Sequence, residues 1–224
     1  MAIVPIFFKV PTPGAVKTRL AAGVGNKLAA ELATAFFLDT LDNVNRAPGL
    51  SPVVATNGVL PQHLLSEISC PIWQQGEGTL DERLERIFRR GLTSSEHVIA
   101  MGADSPGLSQ ENLVALASQL KDHDAVLGPT EDGGYYALGL KSCPTNLLKD
   151  IPWSSPLTCI QTESRLQQHG LRTIRAPEFF DIDHPSDLER LAGLLLSGGL
   201  KAPRTFYLLE TRGWGNKEVP SAVS

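Results

Sequence analysis

The sequence predicts an α/β fold, in which helices cover both faces of a mostly parallel β-sheet. Short apolar runs of strand length alternate with longer segments that carry apolar residues at helical spacing. The strand candidates are continuously apolar, which is typical of strands buried on both faces of a parallel sheet. No repeat or linker-like change of composition divides the chain, so we expect one domain over residues 1–197 and an extension over residues 198–224.

The first unit is a strand followed by a loop and a helix. Ile3–Val10 has the length and apolar content of a buried strand, and the breakers Pro11, Pro13 and Gly14 end it. Asn26–Val44 then carries apolar residues mostly at helical spacing, which predicts an amphipathic helix.

The same alternation continues through the middle of the chain. The strand candidates are Pro52–Thr56, Pro71–Gln74, His97–Met101 and Ala125–Leu127. The helix candidates between them are Pro61–Ile68, Leu80–Leu92 and Gln110–Leu120. Ser109 is the predicted N-cap of the last of these helices, because Asn112 follows three residues later.

Further elements are predicted beyond Gly128. The strands are Tyr135–Leu140 and Arg172–Ala176, and the helices are Leu157–Gln168 and Ser186–Leu196. Ser186 is the predicted cap of the last helix. Pro203–Leu209 is either an added strand or an ordered tail.

Charge and composition exclude several classes of function. The 224 residues carry a formal net charge of −4 and 42% hydrophobic residues, which indicates a globular protein without a nucleic-acid-binding surface. No apolar run could span a membrane and no signal peptide is recognisable, so we expect a cytoplasmic protein. Cys70, Cys143 and Cys159 are too widely spaced for a metal knuckle or a disulfide framework, and we interpret them as buried thiols.

A cationic loop follows the first predicted strand, and ligands bind beyond the carboxyl ends of strands in open α/β sheets. Lys9, Lys17 and Arg19 lie close together, Gly14 permits an unusual turn, and a helix N-terminus is expected to follow. Thr18 is the fifth candidate for phosphate binding here. This combination favours a phosphate-binding loop, although the glycines of a P-loop are absent from it. The alternative is a solvated basic start of a helix.

Carboxylates follow two other strands. Asp104 comes directly after an apolar strand, and Mg²⁺ prefers one or two carboxylates together with phosphate oxygens. Asp181 and Asp183 alternate along an extended segment, so both side chains are expected to point the same way and to give a second anchor for the cation. The alternative for Asp104 is a turn cap, while His184 is interpreted as structural and Asp187 as a first-turn acid.

A glycine-rich loop is the candidate site for a sugar or an acceptor. Gly133 and Gly134 allow a ligand to approach the backbone, and Asp132 beside Tyr135 offers a hydrogen-bond acceptor next to a flat apolar face. The alternative is a hairpin turn, because an Asp-Gly pair is its usual signal. Asp132 is the candidate for contacting or deprotonating the acceptor.

These motifs together resemble a known family. The resemblance lies in the segments Phe7–Leu20, Gly102–Leu108, Leu127–Tyr136 and Pro152–Ser154. They look like a bacterial glycosyltransferase-like family, of the DUF2064 type, within the nucleotide-diphospho-sugar transferase superfamily. The resemblance implies a three-layer α/β/α Rossmann-like sandwich of the GT-A type, which binds a nucleotide or nucleotide-sugar with Mg²⁺ or Mn²⁺.

The resemblance also implies roles for single residues. The loop from Gly14 to Arg19 would hold the nucleotide phosphates, and Asp104 would bind the metal. Asp183, together with Asp181, would be the second metal aspartate. Trp153 would lie at the sugar or acceptor.

Three functions are open on the sequence. The leading hypothesis is transfer of a glycosyl group from a nucleotide-diphosphate sugar to a small acceptor, with Asp104, Asp132 and Lys17 as catalytic candidates. The alternative is a nucleotidyltransferase that couples a nucleoside triphosphate to a phosphorylated acceptor and releases pyrophosphate. The third is a catalytically idle nucleotide-binding protein. The expected partners are a nucleotide or nucleotide-sugar and a small-molecule acceptor, and a homodimer is left open.

Overall fold

A seven-stranded β-sheet forms the centre of the computed structural model, which describes residues 1–214. Its strands are Ala2–Phe8 (β1), Leu50–Thr56 (β2), Ile72–Gln74 (β3), Val98–Gly102 (β4), Ala125–Pro129 (β5), Tyr135–Leu140 (β6) and Thr173–Arg175 (β7). They lie in the order β3-β2-β1-β4-β6-β5-β7. The predicted extension over residues 198–224 therefore falls partly outside the described residues.

The sheet is parallel except at β6. Strand β6 lies between β4 and β5 and runs antiparallel to both, while the other neighbouring strands of the sheet pair in parallel. β5 and β6 are joined by residues 130–134, a connection too short to cross over between parallel strands. The mostly parallel sheet is confirmed, and the hairpin alternative for Asp132 and Gly133 describes the turn that forms.

Helices pack on both faces of the sheet. They are Thr18–Val24 (α1), Asn26–Arg46 (α2), Gln62–Leu65 (α3), Leu80–Leu92 (α4), Gln110–Gln119 (α5), Thr158–Gln168 (α6), Pro185–Leu196 (α7) and Pro203–Thr211 (α8). Along β1, Val4 and Ile6 join a core shared with α2 and α5, whereas Ile3 and Phe7 pack on a core shared with α4 and α6. This division follows from the alternation of side chains along a strand and confirms the three-layer sandwich.

Helix α2 is buried on two sides. Phe37 and Leu41 pack against the sheet, while Leu32 and Phe36 belong to a third apolar cluster that α1, α7 and α8 complete. Helices α1 and α7, which follow the candidate site residues Lys17 and Asp183 in the chain, thus share an apolar cluster with α2.

The segment after residue 197 corrects one expectation. Pro203–Leu209 lies within helix α8, so the segment is ordered, as one alternative had it, but it forms no strand. A proline at the first helical position and apolar residues at helical spacing favour this helix. The carboxylate of Asp39 in α2 also caps it, since it accepts the backbone N–H groups of Arg204 at 3.0 Å and Thr205 at 2.9 Å. A cap supplied by a distant helix leaves no local signal in the sequence.

The two predicted N-caps have opposite outcomes. Ser109 caps α5, because its hydroxyl oxygen accepts the backbone N–H three residues later. The prediction that Ser186 caps α7 was wrong. The helix begins one residue earlier, at Pro185, because proline is favoured at the first position of a helix. The Asp187 carboxylate accepts the backbone N–H groups of Asp183 at 3.0 Å and His184 at 2.7 Å, and this fixes the chain next to a candidate site residue.

The remaining expectations concern the membrane and the cysteines. None of the helices within residues 1–214 has the length and apolar content needed to cross a bilayer. All three cysteines are free; Cys159 is buried, whereas Cys70 and Cys143 are half-buried.

Candidate active site

A cavity of about 750 Å³ opens beyond the carboxyl ends of β1, β4 and β5. These three strands run in the same direction, so the segments that follow them reach one edge of the sheet. The cavity brings together seven of the predicted site residues, namely Lys9, Lys17, Thr18, Arg19, Asp104, Asp132 and Asp183. It is therefore the candidate active site.

Lys17 lies at the centre of the charged side chains in this cavity. Its Nζ is 3.0 Å from Oδ1 of Asp104 and 2.8 Å from Oδ1 of Asp183. The Lys17 side chain is 6% exposed, against 49% for Asp104 and 40% for Asp183. The ammonium is therefore held beneath two carboxylates that remain open to the cavity.

These contacts keep Lys17 and Asp183 charged. Burial alone would lower the pKa of the Lys17 ammonium, but the carboxylates of Asp104 and Asp183 outweigh it and raise that pKa above its ordinary value. Burial likewise opposes ionisation of Asp183, yet Lys17 and Arg19 hold the pKa of its carboxyl below the ordinary value. The cluster is an ion triad with one positive and two negative charges.

Backbone contacts bring the members of this triad together. The backbone N–H of Ile182 donates to the carbonyl oxygen of Asp104 at 3.0 Å, which joins the segment after β4 to the segment before α7. Helix α1 touches the start of α7 so closely that a Cβ on Gly23 would lie 2.5 Å from Cγ of Pro185. Lys17, which directly precedes α1, is thus placed beside Asp183.

The backbone of Lys17 is itself unusual. It adopts a left-handed conformation with φ 48° and ψ 45°, which residues other than glycine rarely take. This conformation turns the chain from the loop into α1, and the two ion pairs of the side chain help to maintain it.

Asp181 occupies a different position from the one predicted. Its side chain accepts a hydrogen bond from the Ser105 hydroxyl and does not line the cavity. Burial raises the pKa of the Asp181 carboxyl to about 6. The carboxyl of Asp181 still interacts electrostatically with Asp104, Lys17 and Asp183, and its role at a metal stays a prediction.

The other cations of the predicted phosphate loop line the same cavity as the triad. Lys9 donates from Nζ to the carbonyl oxygen of Ala15 at 2.7 Å and so closes the loop between β1 and α1. Gly14 has φ 81° and forms the turn of this loop without lining the cavity. Arg19 lines the cavity and is exposed, so its guanidinium is accessible to an anionic ligand.

The opposite wall of the cavity is built by two segments that lock together. Asp132 accepts hydrogen bonds at Oδ1 from the Thr130 hydroxyl (2.7 Å) and the backbone N–H of Gly134 (3.0 Å), which fixes the turn after β5. Gly133, with φ 86°, approaches the next segment so closely that a Cβ would lie 2.2 Å from the carbonyl oxygen of Pro156. Its own carbonyl accepts the backbone N–H of Cys159 at 2.8 Å.

Sequence reasoning missed part of this wall. Ser154, Ser155 and Pro156 line the cavity next to Asp132. Ser154 has a left-handed backbone, with φ 56°. Two features of the sequence could have indicated this segment. Residues 154–156 directly follow Trp153, and the pair Gly133 and Gly134 indicates that another part of the backbone packs closely against it.

Tyr135 and Trp153 were expected at a sugar or acceptor, but neither is among the described residues that line the cavity. Their rings pack edge to face, with centroids 6.3 Å apart, against the core shared with α4 and α6. Burial raises the pKa of the Tyr135 hydroxyl, which is enclosed by protein. Both rings therefore support the wall from the core side.

Asp104 and Asp183 are the side chains that could hold a divalent cation. Carboxylate oxygens are the donors that Mg²⁺ and Mn²⁺ prefer, and these two oxygens meet at one point, the Nζ of Lys17. No group of three or more His, Cys, Asp or Glu side chains in residues 1–214 is arranged to hold a metal. The donor set fits a cation that takes its other ligands from phosphate and water, and metal binding stays a prediction.

The chain is similar to known proteins along most of its length. The family described as "Uncharacterized protein conserved in bacteria (DUF2064)" matches residues 40–155. A phosphoenolpyruvate guanylyltransferase from Sphaerobacter thermophilus is 28% identical over 205 residues, which cover 86% of this chain and 92% of that protein.

Solved structures share the fold. A crystal structure from Desulfovibrio desulfuricans G20, provisionally named a nucleotide-diphospho-sugar transferase, has a TM-score of 0.86 at 26% identity and covers 95% of each chain. A cytidylyltransferase from Leptospira borgpetersenii has a TM-score of 0.60 at 12% identity, over 100% of this chain and 98% of the other, and shows likeness of fold alone. Since the family match spans more than half of the chain and includes Asp104 and Asp132, the protein belongs to the DUF2064 family and has a fold of the nucleotide-diphospho-sugar transferase type.

Proposed function

We propose that this protein is a nucleotidyltransferase, which joins a nucleoside monophosphate unit to a small phosphorylated acceptor and releases pyrophosphate. The observation that carries the proposal is the arrangement of charge in the cavity. The Lys17 triad lies between the cations of the phosphate loop and a hydroxyl-lined wall at Ser154 and Ser155. A triphosphate on one side and a phosphorylated acceptor on the other would meet beside Asp104.

The reaction requires no covalent enzyme intermediate. An oxygen of the acceptor phosphate attacks the α-phosphorus of the triphosphate and forms the new P–O bond. The bond from the α-phosphorus to the bridging oxygen breaks, and pyrophosphate leaves with the electron pair. The acceptor phosphate is already an anion, so no general base is needed, and Asp132 serves to position the acceptor.

The protein acts mainly through electrostatics in this scheme. Lys9 and Arg19 offset the charge that builds on the leaving pyrophosphate. Asp104 and Asp183 would hold a divalent cation, which supplies further charge neutralisation to the phosphates when it is bound. Oriented charges in a partly enclosed cavity are worth more than in water, because solvent screens them less.

Nucleotidyl transfer is favoured over glycosyl transfer by two considerations. The guanylyltransferase relative covers most of the chain, and this makes GTP the first donor and phosphoenolpyruvate the first acceptor to test. The rings of Tyr135 and Trp153, which would pack on a sugar, lie in the core.

Glycosyl transfer remains the second candidate, because the Desulfovibrio structure is named for nucleotide-diphospho-sugars at 26% identity. The two reactions differ in the small product. The first releases pyrophosphate from a triphosphate, and the second releases a nucleoside diphosphate from a nucleotide-sugar.

The test is a product assay. The protein is mixed with Mg²⁺ and each of the four nucleoside triphosphates, together with phosphoenolpyruvate or a set of phosphorylated sugars and acids, and pyrophosphate is measured. Asp104→Asn should lower the rate by about 100-fold, whereas Asp122→Asn removes an exposed carboxylate that does not line the cavity and should change nothing. Release of a nucleoside diphosphate from nucleotide-sugars, without pyrophosphate from any triphosphate, would replace the proposal by glycosyl transfer.

A further inference from the structure

The ammonium of Lys17 occupies the point where the two candidate metal ligands meet. One nitrogen contacts Oδ1 of both Asp104 and Asp183, at 3.0 and 2.8 Å, and is almost fully buried beneath them. A cation that binds both carboxylates through these two oxygens must take the space that this nitrogen fills. The two cations cannot share it, since like charges at contact distance repel strongly.

Lys17 can reach a second set of anions. It directly precedes α1, and it belongs to the loop that carries Lys9 and Arg19 and lines the same cavity. A triphosphate bound at this loop would present anionic oxygens to the ammonium. A lysine carries its ammonium on a flexible stem of four carbons, so the ammonium can move from the carboxylates to a phosphate without a change of fold.

We propose that Lys17 is a resident counterion that a divalent cation replaces only when a nucleotide draws the lysine to its phosphates. This inference rests on the proposed function for its nucleotide half. The metal site is thus closed to free Mg²⁺ or Mn²⁺ in the nucleotide-free protein. Metal and nucleotide bind cooperatively, because each favours the arrangement in which the lysine has left the carboxylates.

The proposal differs from a plain phosphate-binding role for Lys17. If Lys17 only bound phosphate, its replacement would leave the metal affinity of the nucleotide-free protein unchanged. A resident counterion competes with the metal, so its removal must increase that affinity.

The experiment measures Mn²⁺ binding to the nucleotide-free protein by electron paramagnetic resonance of the free ion. We expect Lys17→Met to bind Mn²⁺ at least about tenfold more tightly than the unmodified protein, because the two carboxylates lose the cation that they share. Lys9→Met is the matched control: it removes a lysine from the same cavity but not from the carboxylates, and should leave Mn²⁺ affinity unchanged. The double variant Lys17→Met, Asp104→Asn should lose the gained affinity.

A second readout protects the test against misfolding. Mn²⁺ should raise the melting temperature of Lys17→Met, or of Lys17→Gln if the first variant does not fold, and should have little effect on the unmodified protein without nucleotide. Equal Mn²⁺ affinity in the Lys17 variants and the unmodified protein, or an equal gain in Lys9→Met, would overturn the proposal. These measurements involve no turnover, so a failure of nucleotidyl transfer would leave their outcome unaffected.

Discussion

Replacing Gly133 by alanine tests whether the turn after β5 sets the acceptor wall of the cavity. Gly133 has φ 86°, and a Cβ at this position would lie 2.2 Å from the carbonyl oxygen of Pro156. This neighbour is a backbone atom, which cannot rotate away as the end of a flexible side chain can. The turn that carries Asp132 and the segment at residues 154–156 must therefore separate.

Gly170 provides a matched control for the magnitude. Its φ is 76°, and nothing lies within 4 Å of an added Cβ. Gly170→Ala should therefore lose only about 1 kcal/mol, the cost of a left-handed alanine. Gly133→Ala carries the same cost and a further loss of about 1–3 kcal/mol for forced packing, so about 2–4 kcal/mol is expected in total.

Two assays check this prediction. Urea unfolding followed by circular dichroism gives the free energy of unfolding of each variant. Steady-state kinetics should show a higher KM for the acceptor in Gly133→Ala, while nucleotide affinity measured by calorimetry stays unchanged, because the phosphate loop lies on the other wall. Equal losses of stability in the two alanine variants, or an unchanged acceptor KM, would refute the reasoning.

Two further predictions concern groups outside the cavity. Asp39→Ala leaves buried donors of α8 without an acceptor and should lower the free energy of unfolding, measured by chemical denaturation, by about 3 kcal/mol. The control Asp42→Ala removes a part-exposed ion pair and should lower it by less than about 1 kcal/mol. Similar losses in the two variants would contradict the capping role of Asp39. Burial raises the pKa of the Cys143 thiol to about 12. Its alkylation by iodoacetamide at pH 8, measured by mass spectrometry, should therefore be about 1000-fold slower than that of an ordinary thiol. The rate of alkylation should rise about tenfold per pH unit, because the thiolate is the reactive form. Labelling as fast as that of a free thiol would contradict this assignment.

Local patterns predicted most of the sheet and helices because they depend on neighbouring residues. The apolar run at Ile3–Val10 and the helical spacing over Asn26–Val44 both correspond to observed elements, β1 and α2. The Asp-Gly pair at residues 132 and 133 is the usual signal of a hairpin turn, and it indicated the antiparallel pairing of β5 and β6. The helical form of α8 was not predicted: Pro203 gives a local start signal, but the Asp39 cap comes from a segment more than 160 residues earlier in the chain.

The site was predicted in its residue types and less well in its geometry. Position after a strand identified Asp104 and the lysines of the first loop. The contact of Lys17 with Asp183 joins residues 166 positions apart and depends on the packing of α1 against α7, which no local pattern reports. The same limit applies to Tyr135 and Trp153, since an aromatic residue beside a glycine loop has the same sequence signature whether it faces a ligand or the core.

The fate of a labelled phosphate tests the central claim most directly. The protein is incubated with a nucleoside triphosphate labelled at the α-phosphate, or in parallel at the γ-phosphate, together with a phosphorylated acceptor and Mg²⁺. Nucleotidyl transfer predicts that the α-label enters the acceptor product and the γ-label appears in pyrophosphate, and that Asp104→Asn slows both by about 100-fold. If no triphosphate transfers its α-label to any acceptor, while nucleotide-sugars lose their sugar to one, the claim is contradicted.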